Sequence, residues 1–155
     1  MLPLLTRIDH VGIACADLEA TVGLYQATFG LEVVSLEVNA EQGVREAMLR
    51  VGSGASGASG ASGASAAGPG YLQLLEPLAD DTPVGRFLAR RGEGIHHVGY
   101  GVSDIASALA GLAGTGIRLI DSRPRHGSMG ASIAFLHPAD LGGVLTELVQ
   151  AAGPA

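Results

Sequence analysis

The chain has 155 residues, of which 47% are hydrophobic and 15% charged, and its formal net charge is −6 at neutral pH. This length suggests one domain with enough apolar material for a core, while the acidic balance argues against nucleic acid as a partner. No apolar run approaches the roughly 20 residues that cross a membrane, and the apolar stretch at the N-terminus is too short for a signal peptide. Because the single cysteine, Cys15, excludes an internal disulfide framework, we expect a soluble cytoplasmic protein.

The first predicted strand and helix begin in residues 8–20, IDHVGIACADLEA. A strand-like run ends near Asp17, a residue type that caps helices, and a helix is predicted over 18–30. Three further strand-like runs follow, which gives this first module, about residues 5–77, the order βαβββ. These runs are LEVVSLEV (31–38), REAMLRV (45–51) and YLQLLEP (71–77).

Two connecting segments have no core-forming character of their own. The tract SGASGASGASGASAAGPG (53–70) lacks charges and large side chains, so we predict a flexible loop between the third and fourth strands. A linker helix is predicted over about residues 82–92, because Thr82 can cap it and Pro83 suits its first turn.

The chain then repeats itself. Residues 95–107, IHHVGYGVSDIAS, match the first strand and cap at an offset of 87, and a helix is predicted over 105–116. Three strand-like runs complete a second module, about residues 94–151: IRLIDS (117–122), ASIAFLH (131–137) and GVLTELVQ (143–150). The predicted fold is therefore α+β, with two tandem βαβββ modules in a single domain spanning 1–155.

Four polar side chains fall at equivalent places in the repeat. His10 and His97 match at the offset of 87, and residues too small to fill a core follow each of them along the same strand face. Gln73 and Glu147 interrupt the apolar last strands of the two modules, where a polar group needs a partner. Two imidazoles, a carboxylate and an amide oxygen together predict a site for a divalent metal ion.

The remaining histidines have simpler interpretations. A single histidine in a strand is more often a core or surface residue than a metal ligand, and only the repeat favours a ligand role for His10 and His97. His96 is interpreted as a structural residue or a support for its neighbour. We assign no metal role to His126 and His137, which lie near predicted loops.

These motifs resemble the vicinal-oxygen-chelate superfamily and, within it, the methylmalonyl-CoA epimerase family. The matching stretches are IDHVGIACADLEATVGLY, EQGVREAMLRVG, YLQLLEPL, FLARRGEGIHHVGYGVSDI and FLHPADLGGVLTELV. The resemblance implies that the paired modules form a cupped, mixed β-sheet around a divalent metal. It also implies that the metal ligands are His10, Gln73, His97 and Glu147.

The resemblance implies an activity as well: interconversion of (2R)- and (2S)-methylmalonyl-CoA by removal and return of the α-proton. Glu46 and Glu147 would be the two acid/base groups on opposite faces of the substrate. From the residues alone, Glu46 between Arg45 and Arg50 would be interpreted as part of a solvated strand face. The resemblance reverses that interpretation.

Cofactor and partners follow from the same resemblance. Cobalt is the expected metal, and the ligand set is equally compatible with Mn²⁺, Ni²⁺, Fe²⁺ or Zn²⁺. The expected partners are a small acyl-CoA substrate and a second copy in a homodimer, with neither nucleic acid nor a membrane. Arg123, Arg125 and Ser128 are open candidates for contacts with the substrate carboxylate or the CoA moiety.

Three alternatives share the expected fold. A glyoxalase I-type isomerase would use a similar metal site but usually has Glu where Gln73 stands. An extradiol dioxygenase would use two His and one Glu with iron, which leaves position 73 unused. A non-catalytic ligand-sequestering protein of the same fold would generally lack the metal ligands.

Overall fold

The computed structural model describes residues 4–52 and 68–154. The chain divides into two compact units, and their boundary lies inside the first strand. The split unit comprises Met1–Val11 and His96–Ala155, and the continuous unit comprises Gly12–Ile95. The first strand, β1 (Arg7–Ala14), therefore begins in the split unit and ends in the continuous unit. The single-domain organisation stays a prediction.

The continuous unit has the βαβββ order expected of the first module, followed by the linker helix. Its strands are hydrogen-bonded in the order β2-β3-β4-β1, and β3 is antiparallel to both β2 and β4. The predicted linker helix is confirmed, with Thr82 as its N-cap and Pro83 in its first turn. The elements are α1 (Leu18–Phe29), β2 (Glu32–Asn39), β3 (Val44–Val51), β4 (Gly70–Pro77) and α2 (Pro83–Arg91).

The split unit forms a mixed sheet. Its strands run in the order β1-β5-β8-β7-β6, with β5 and β8 parallel and β7 antiparallel to both of its neighbours. One core cluster packs α3 residues such as Ile105 and Leu109 against Leu136 and Leu148 of the sheet. The elements are β5 (Gly94–Gly101), α3 (Ile105–Leu112), β6 (Arg125–His126), β7 (Ser132–Leu136) and β8 (Thr146–Gln150).

Both repeat helices begin in the same way. Asp17 accepts a hydrogen bond from a first-turn amide of α1, and Asp104 does the same for α3. The first residue of each helix also donates its backbone N–H to a side chain on the last strand of its own module. Glu76 accepts this bond for α1 at 2.7 Å, and Gln150 accepts it for α3 at 2.9 Å.

These cap contacts fix the correspondence between the two closing strands. Glu76 and Gln150 accept equivalent hydrogen bonds in their two modules and lie 74 residues apart in the sequence. The same offset relates Gln73 to Glu147. The structure therefore supports the sequence-based equivalence of Gln73 and Glu147 by a contact three residues away from each.

Two expectations for the second module are wrong. The predicted strand over 117–122 does not form, and this segment pairs with β7 through an isolated bridge between Leu119 and Leu136. In that bridge the amide of Ile120 donates to the carbonyl of Phe135, and the amide of His137 donates to the carbonyl of Arg118. The predicted helix over 105–116 ends four residues early, at Leu112. Gly114 and Gly116 follow with φ angles of 81° and 93°, which a right-handed helix does not accommodate.

Of the predicted flexible loop 53–70, residues 53–67 lie outside the described part of the chain, and Gly70 already belongs to β4. Within residues 4–52 and 68–154, no helix has the length and apolar character needed to cross a membrane. The α+β class and the mixed sheet agree with the sequence-based prediction.

Candidate metal centre

Three of the four predicted metal ligands meet inside the split unit. His10 on β1, His97 on β5 and Glu147 on β8 are each 3% exposed, and each offers a donor atom within 4.8 Å of the others. The Nε2 atoms of the two histidines are 2.9 Å apart. The Glu147 carboxylate places Oε1 3.6 Å from Nε2 of His10 and Oε2 3.4 Å from Nε2 of His97.

The sheet register and a glycine create the space for this cluster. Gly99 is the register partner of Glu147 in the parallel pair of β5 and β8. A Cβ atom at Gly99 would lie 2.3 Å from Cε1 and 2.5 Å from Nδ1 of His10, closer than real Cβ contacts allow. The missing side chain at Gly99 therefore admits the His10 imidazole beside the Glu147 carboxylate.

On the side away from the cluster, the His10 ring contacts Asp9, which is ion-paired with Arg7. Its Nδ1 lies 2.8 Å from Oδ1 of Asp9, and the other carboxylate oxygen of Asp9 accepts a hydrogen bond from Nη2 of Arg7 at 2.5 Å. Burial alone would raise the pKa of Asp9, but the hydrogen bonds and charges of His10 and Arg7 outweigh it and lower this pKa. Asp9 is thus a buried, ionised acceptor for the His10 ring.

The His97 ring contacts two other rings, those of His96 and Phe135. Its Nδ1 lies 3.0 Å from Nδ1 of His96, and the edge of its ring packs against Phe135 with 5.4 Å between centroids. Burial lowers the pKa of His97 well below 6.5, and the nearby His10 and His96 rings lower it further. Burial also lowers the pKa of His96, to about 4. Both rings are therefore neutral at physiological pH, the state in which imidazole binds metals.

The donor set fits a divalent transition-metal ion. Nitrogen and oxygen donors that each lie about 2.1 Å from one ion are separated by about 3 to 4 Å, and the three measured separations fall in that range. Two imidazole nitrogens and a carboxylate suit Zn²⁺, Co²⁺, Fe²⁺, Ni²⁺ or Mn²⁺.

The other two predicted site residues lie in the continuous unit and contact each other. Glu46 on β3 and Gln73 on β4 are 2% and 5% exposed, and Nε2 of Gln73 donates to Oε2 of Glu46 at 2.8 Å. The solvated strand face that the residues alone suggested for Glu46 is therefore wrong. The alternating pleat turns Glu46 to the face opposite Arg45, whose side chain is more than a third exposed. The roles of Glu46 and Gln73 stay predictions.

The remaining candidates lie in several different settings. Arg123 is exposed, Arg125 pairs with Asp121 at 3.3 Å, and Ser128 begins a short 3₁₀ helix. Their suggested contacts with substrate stay predictions. Cys15 is a fully buried core residue, as expected, and its burial raises the pKa of the thiol to about 11. Of the two histidines without an assigned metal role, His126 is exposed, and the ring of His137 accepts a hydrogen bond from the amide of Ala139.

Sequence reasoning missed the support behind His10. Asp9 and Arg7 were not singled out, although the signal was available in the repeat. At the offset of 87, Asp9 corresponds to His96, and each of these residues contacts Nδ1 of the histidine that follows it. A repeat that aligns two histidines also aligns the residues that support them.

Comparison with known proteins identifies the family of this chain. The model of the glyoxalase/bleomycin resistance protein/dioxygenase superfamily matches residues 9–135. A methylmalonyl-CoA epimerase solved with methylmalonyl-CoA and NH4+ is 52% identical, with a TM-score of 0.85 and 96% of both chains covered. A variant of the Streptomyces coelicolor methylmalonyl-CoA epimerase, solved with 2-nitronate-propionyl-CoA, is 51% identical, with a TM-score of 0.85 and 96% of this chain and 99% of that chain covered.

A characterised relative leads to the same family. The ethylmalonyl-CoA/methylmalonyl-CoA epimerase of Cereibacter sphaeroides is 34% identical over 146 residues, which cover 93% of this chain and 97% of the relative. The identities extend over nearly the whole length of each protein, and the fold agrees with that of the solved structures. The chain therefore belongs to the glyoxalase/bleomycin resistance protein/dioxygenase superfamily and, within it, to the methylmalonyl-CoA epimerase family.

Proposed function

We propose that this protein is a metal-dependent epimerase that interconverts (2R)- and (2S)-methylmalonyl-CoA. The observation that carries the proposal is the buried cluster of His10, His97 and Glu147, in a chain 52% identical to an epimerase solved with that substrate. A purely sequestering protein of this fold has no need for three converging metal donors at the cost of burying them.

The substrate defines what the site must do. The α-hydrogen of methylmalonyl-CoA lies between a thioester and a carboxylate, so its removal places negative charge on the adjacent oxygens. A divalent cation held at this site would supply positive charge that stabilises the developing negative charge. His10, His97 and Glu147 would hold the cation, with Gln73 as the proposed fourth ligand.

Epimerisation needs proton transfer on both faces of the α-carbon, and Glu46 is the proposed base for one of them. Gln73 donates an N–H to Oε2 of Glu46, and this hydrogen bond fixes the orientation of the carboxylate. Because the NH₂ group of Gln73 faces Glu46, its carbonyl oxygen is directed away from that carboxylate. Glu147 is the proposed acid/base group for the opposite face.

The proposal also includes the native metal, the oligomeric state and the location of the protein. Cobalt as the native metal and a homodimeric state rest on the family resemblance. A cytoplasmic location rests on the absence of any disulfide framework in a chain with one cysteine, Cys15.

Substitution of Glu46 by Gln tests the proposal. The change preserves the shape of the side chain and removes its ability to accept the α-proton. We expect metal content to stay at the parent level while epimerisation of methylmalonyl-CoA falls at least ~100-fold. Glu32→Gln is the matched control, because Glu32 lies on the neighbouring strand and pairs with Arg50 at an exposed site.

The measurements are elemental analysis of the purified protein and a coupled assay of epimerisation from each enantiomer. With Glu147 intact, exchange of the α-hydrogen with deuterated water should persist for one enantiomer only. A Glu46→Gln protein that retains more than a tenth of the parent rate would exclude Glu46 as the base. Loss of metal in that protein would instead place Glu46 among the ligands.

A further inference from the structure

Asp9, the residue before His10, forms side-chain hydrogen bonds with both Arg7 and His10. Arg7, Asp9 and His10 lie on one strand, and their side chains connect in the order guanidinium, carboxylate, imidazole. Asp9 is 5% exposed, and both of its carboxylate oxygens are engaged. A buried carboxylate with two different partners constrains both of them.

The direction of the contacts determines the proton position on His10. Oδ1 of Asp9 is an acceptor, so the Nδ1 atom at 2.8 Å carries the hydrogen. A neutral imidazole with hydrogen on Nδ1 has its lone pair on Nε2, and Nε2 is the atom that faces Glu147 and His97. Asp9 therefore selects the tautomer that can bind a cation.

We propose that Asp9 is a positioning residue, which accepts the Nδ1 proton of His10 and so presents Nε2 as a metal donor, while Arg7 fixes the Asp9 carboxylate. The expected effect on metal affinity rests on the proposed metal site. The hydrogen bond between Asp9 and His10 is observed independently of that proposal. The contact with Arg7 occupies Oδ2 and leaves Oδ1 directed at the imidazole. Carboxylates that hold metal-bound histidines in this way raise the basicity of the ligand and orient its ring.

Two substitutions separate the acceptor from the charge of Asp9. Asp9→Leu keeps the branching of the side chain at Cγ and removes the acceptor, so the Nε2–H tautomer of His10 should become populated in the metal-free protein. The same change should weaken Co²⁺ binding about 10- to 100-fold. Asp9→Asn retains an acceptor oxygen without the charge, so His10 should keep its tautomer and Co²⁺ binding should weaken less than tenfold.

The tautomer is measured by long-range ¹H–¹⁵N correlation spectra of the metal-free protein, and affinity is measured by calorimetric titration with Co²⁺. Asp140→Leu and Asp140→Asn are the matched controls, because Asp140 is also paired with an arginine, Arg118, but at an exposed site. Neither control should change the His10 spectrum or the Co²⁺ affinity. Thermal unfolding checks that each variant is folded.

The outcomes separate this inference from the proposed function. If folded Asp9→Leu keeps the Nδ1–H tautomer, or binds Co²⁺ within threefold of the parent, Asp9 is not a positioning residue. If Asp9→Leu does not fold, the inference is tested with Asp9→Asn. A changed His10 tautomer in that variant, or a loss of Co²⁺ affinity as large as that expected for a lost ligand, overturns the inference. If the parent protein binds no Co²⁺, the metal proposal fails, and the tautomer spectra alone then support or overturn the role of Asp9.

Discussion

The two proposed ligand histidines, His10 and His97, occupy equivalent places in the repeat, but the side chains that contact their Nδ1 atoms differ in charge. Nδ1 of His10 meets the carboxylate of Asp9, which is itself paired with Arg7. Nδ1 of His97 meets the imidazole of His96, whose pKa burial lowers to about 4, so that this partner is neutral. The repeat has preserved the position of the supporting side chain and the atom that it contacts, while its charge differs.

This difference separates two properties of a metal ligand. Either partner can accept the Nδ1 proton and so direct the lone pair of Nε2 to the centre. Only the carboxylate adds negative charge and forms a charge-assisted hydrogen bond, which is roughly twice as strong as a neutral one. Removal of either histidine should therefore weaken metal binding to a similar extent. Removal of Asp9 should weaken metal binding more than removal of His96.

The largest expected effect tests the equality of the ligands. His10→Ala and His97→Ala each remove one donor, so each should weaken Co²⁺ binding more than ~100-fold, beyond the loss from a disturbed support. Both variants should also lose epimerisation. Calorimetric titration and elemental analysis measure the losses. Substantial metal retention in only one of the two variants would show that the histidines are not equivalent ligands.

A smaller loss is expected from Gly99→Ala, which affects the His10 side alone. The new Cβ would overlap the His10 ring, so this ring must shift away from Glu147. We expect a lower melting temperature and Co²⁺ binding weakened about 10- to 100-fold. Gly111→Ala in α3 is the matched control, because a Cβ there meets nothing within 4 Å. Unchanged Co²⁺ affinity in Gly99→Ala would contradict the packing described here.

The support of His97 should be weaker than that of His10. His96→Phe keeps an aromatic ring and removes the Nδ1 contact at 3.0 Å. Because the lost partner is neutral, Co²⁺ binding should weaken less than in Asp9→Leu, by under about tenfold. Titrations of the two variants under identical conditions give the comparison directly. A larger loss in His96→Phe would reverse the ranking of the two supports.

The smallest effect concerns an arginine–aspartate pair at the surface, in contrast with the buried pair of Arg7 and Asp9. Hydrogen bonds from Arg118 lower the pKa of Asp140 from 3.8 to about 2. Because folding lowers this pKa, the pair stabilises the protein fully above pH 3.8, and the contribution is lost as the pH falls through about 2. Asp140→Asn should therefore lower the melting temperature slightly at neutral pH.

Thermal unfolding across pH checks that direction. The difference between the parent and Asp140→Asn should shrink as the pH falls toward 2, and high salt should reduce it at neutral pH. A difference that grows on acidification would show that another group causes it. Equal Co²⁺ affinity in the two proteins is also expected, because the pair lies outside the metal centre.

Local signals in the sequence were sufficient for most of the fold. Asp17, Asp104 and Thr82 each begin a helix where their residue types predict one, and the two βαβββ modules follow from the internal repeat. The failure at 117–122 has a tertiary cause. That run looks like a strand, but two of its amides share the carbonyl of Phe135, and the amide of Arg118 donates to the Asp140 side chain, which periodicity cannot reveal.

The site shows the same division. The repeat predicted that His10, Gln73, His97 and Glu147 would meet, because equivalent positions carry ligand-type side chains. The structure brings three of them together, and the role of Gln73 stays a prediction. The burial of Glu46 could not be obtained from its neighbours, since two flanking arginines suggest solvent, and only family resemblance pointed to function. The contact between Asp9 and His10 could not be predicted from strand alternation, because neighbouring residues of a strand point to opposite faces. It depends on the side-chain directions near the beginning of β1.

The three donors of the metal centre lie far apart in the sequence: His10 and His97 are separated by 87 residues, and Glu147 follows 50 residues later. The unfolded chain therefore has no local chelate, because loops of that length must close before the donors meet. A cation at this centre binds the folded state almost exclusively and stabilises it by about 2.7 kcal/mol at a concentration 100-fold above its Kd. If the cation binds as proposed, metal supply would influence the lifetime of the protein against proteolysis, and a metal-starved cell would hold fewer copies of the enzyme as well as less active ones.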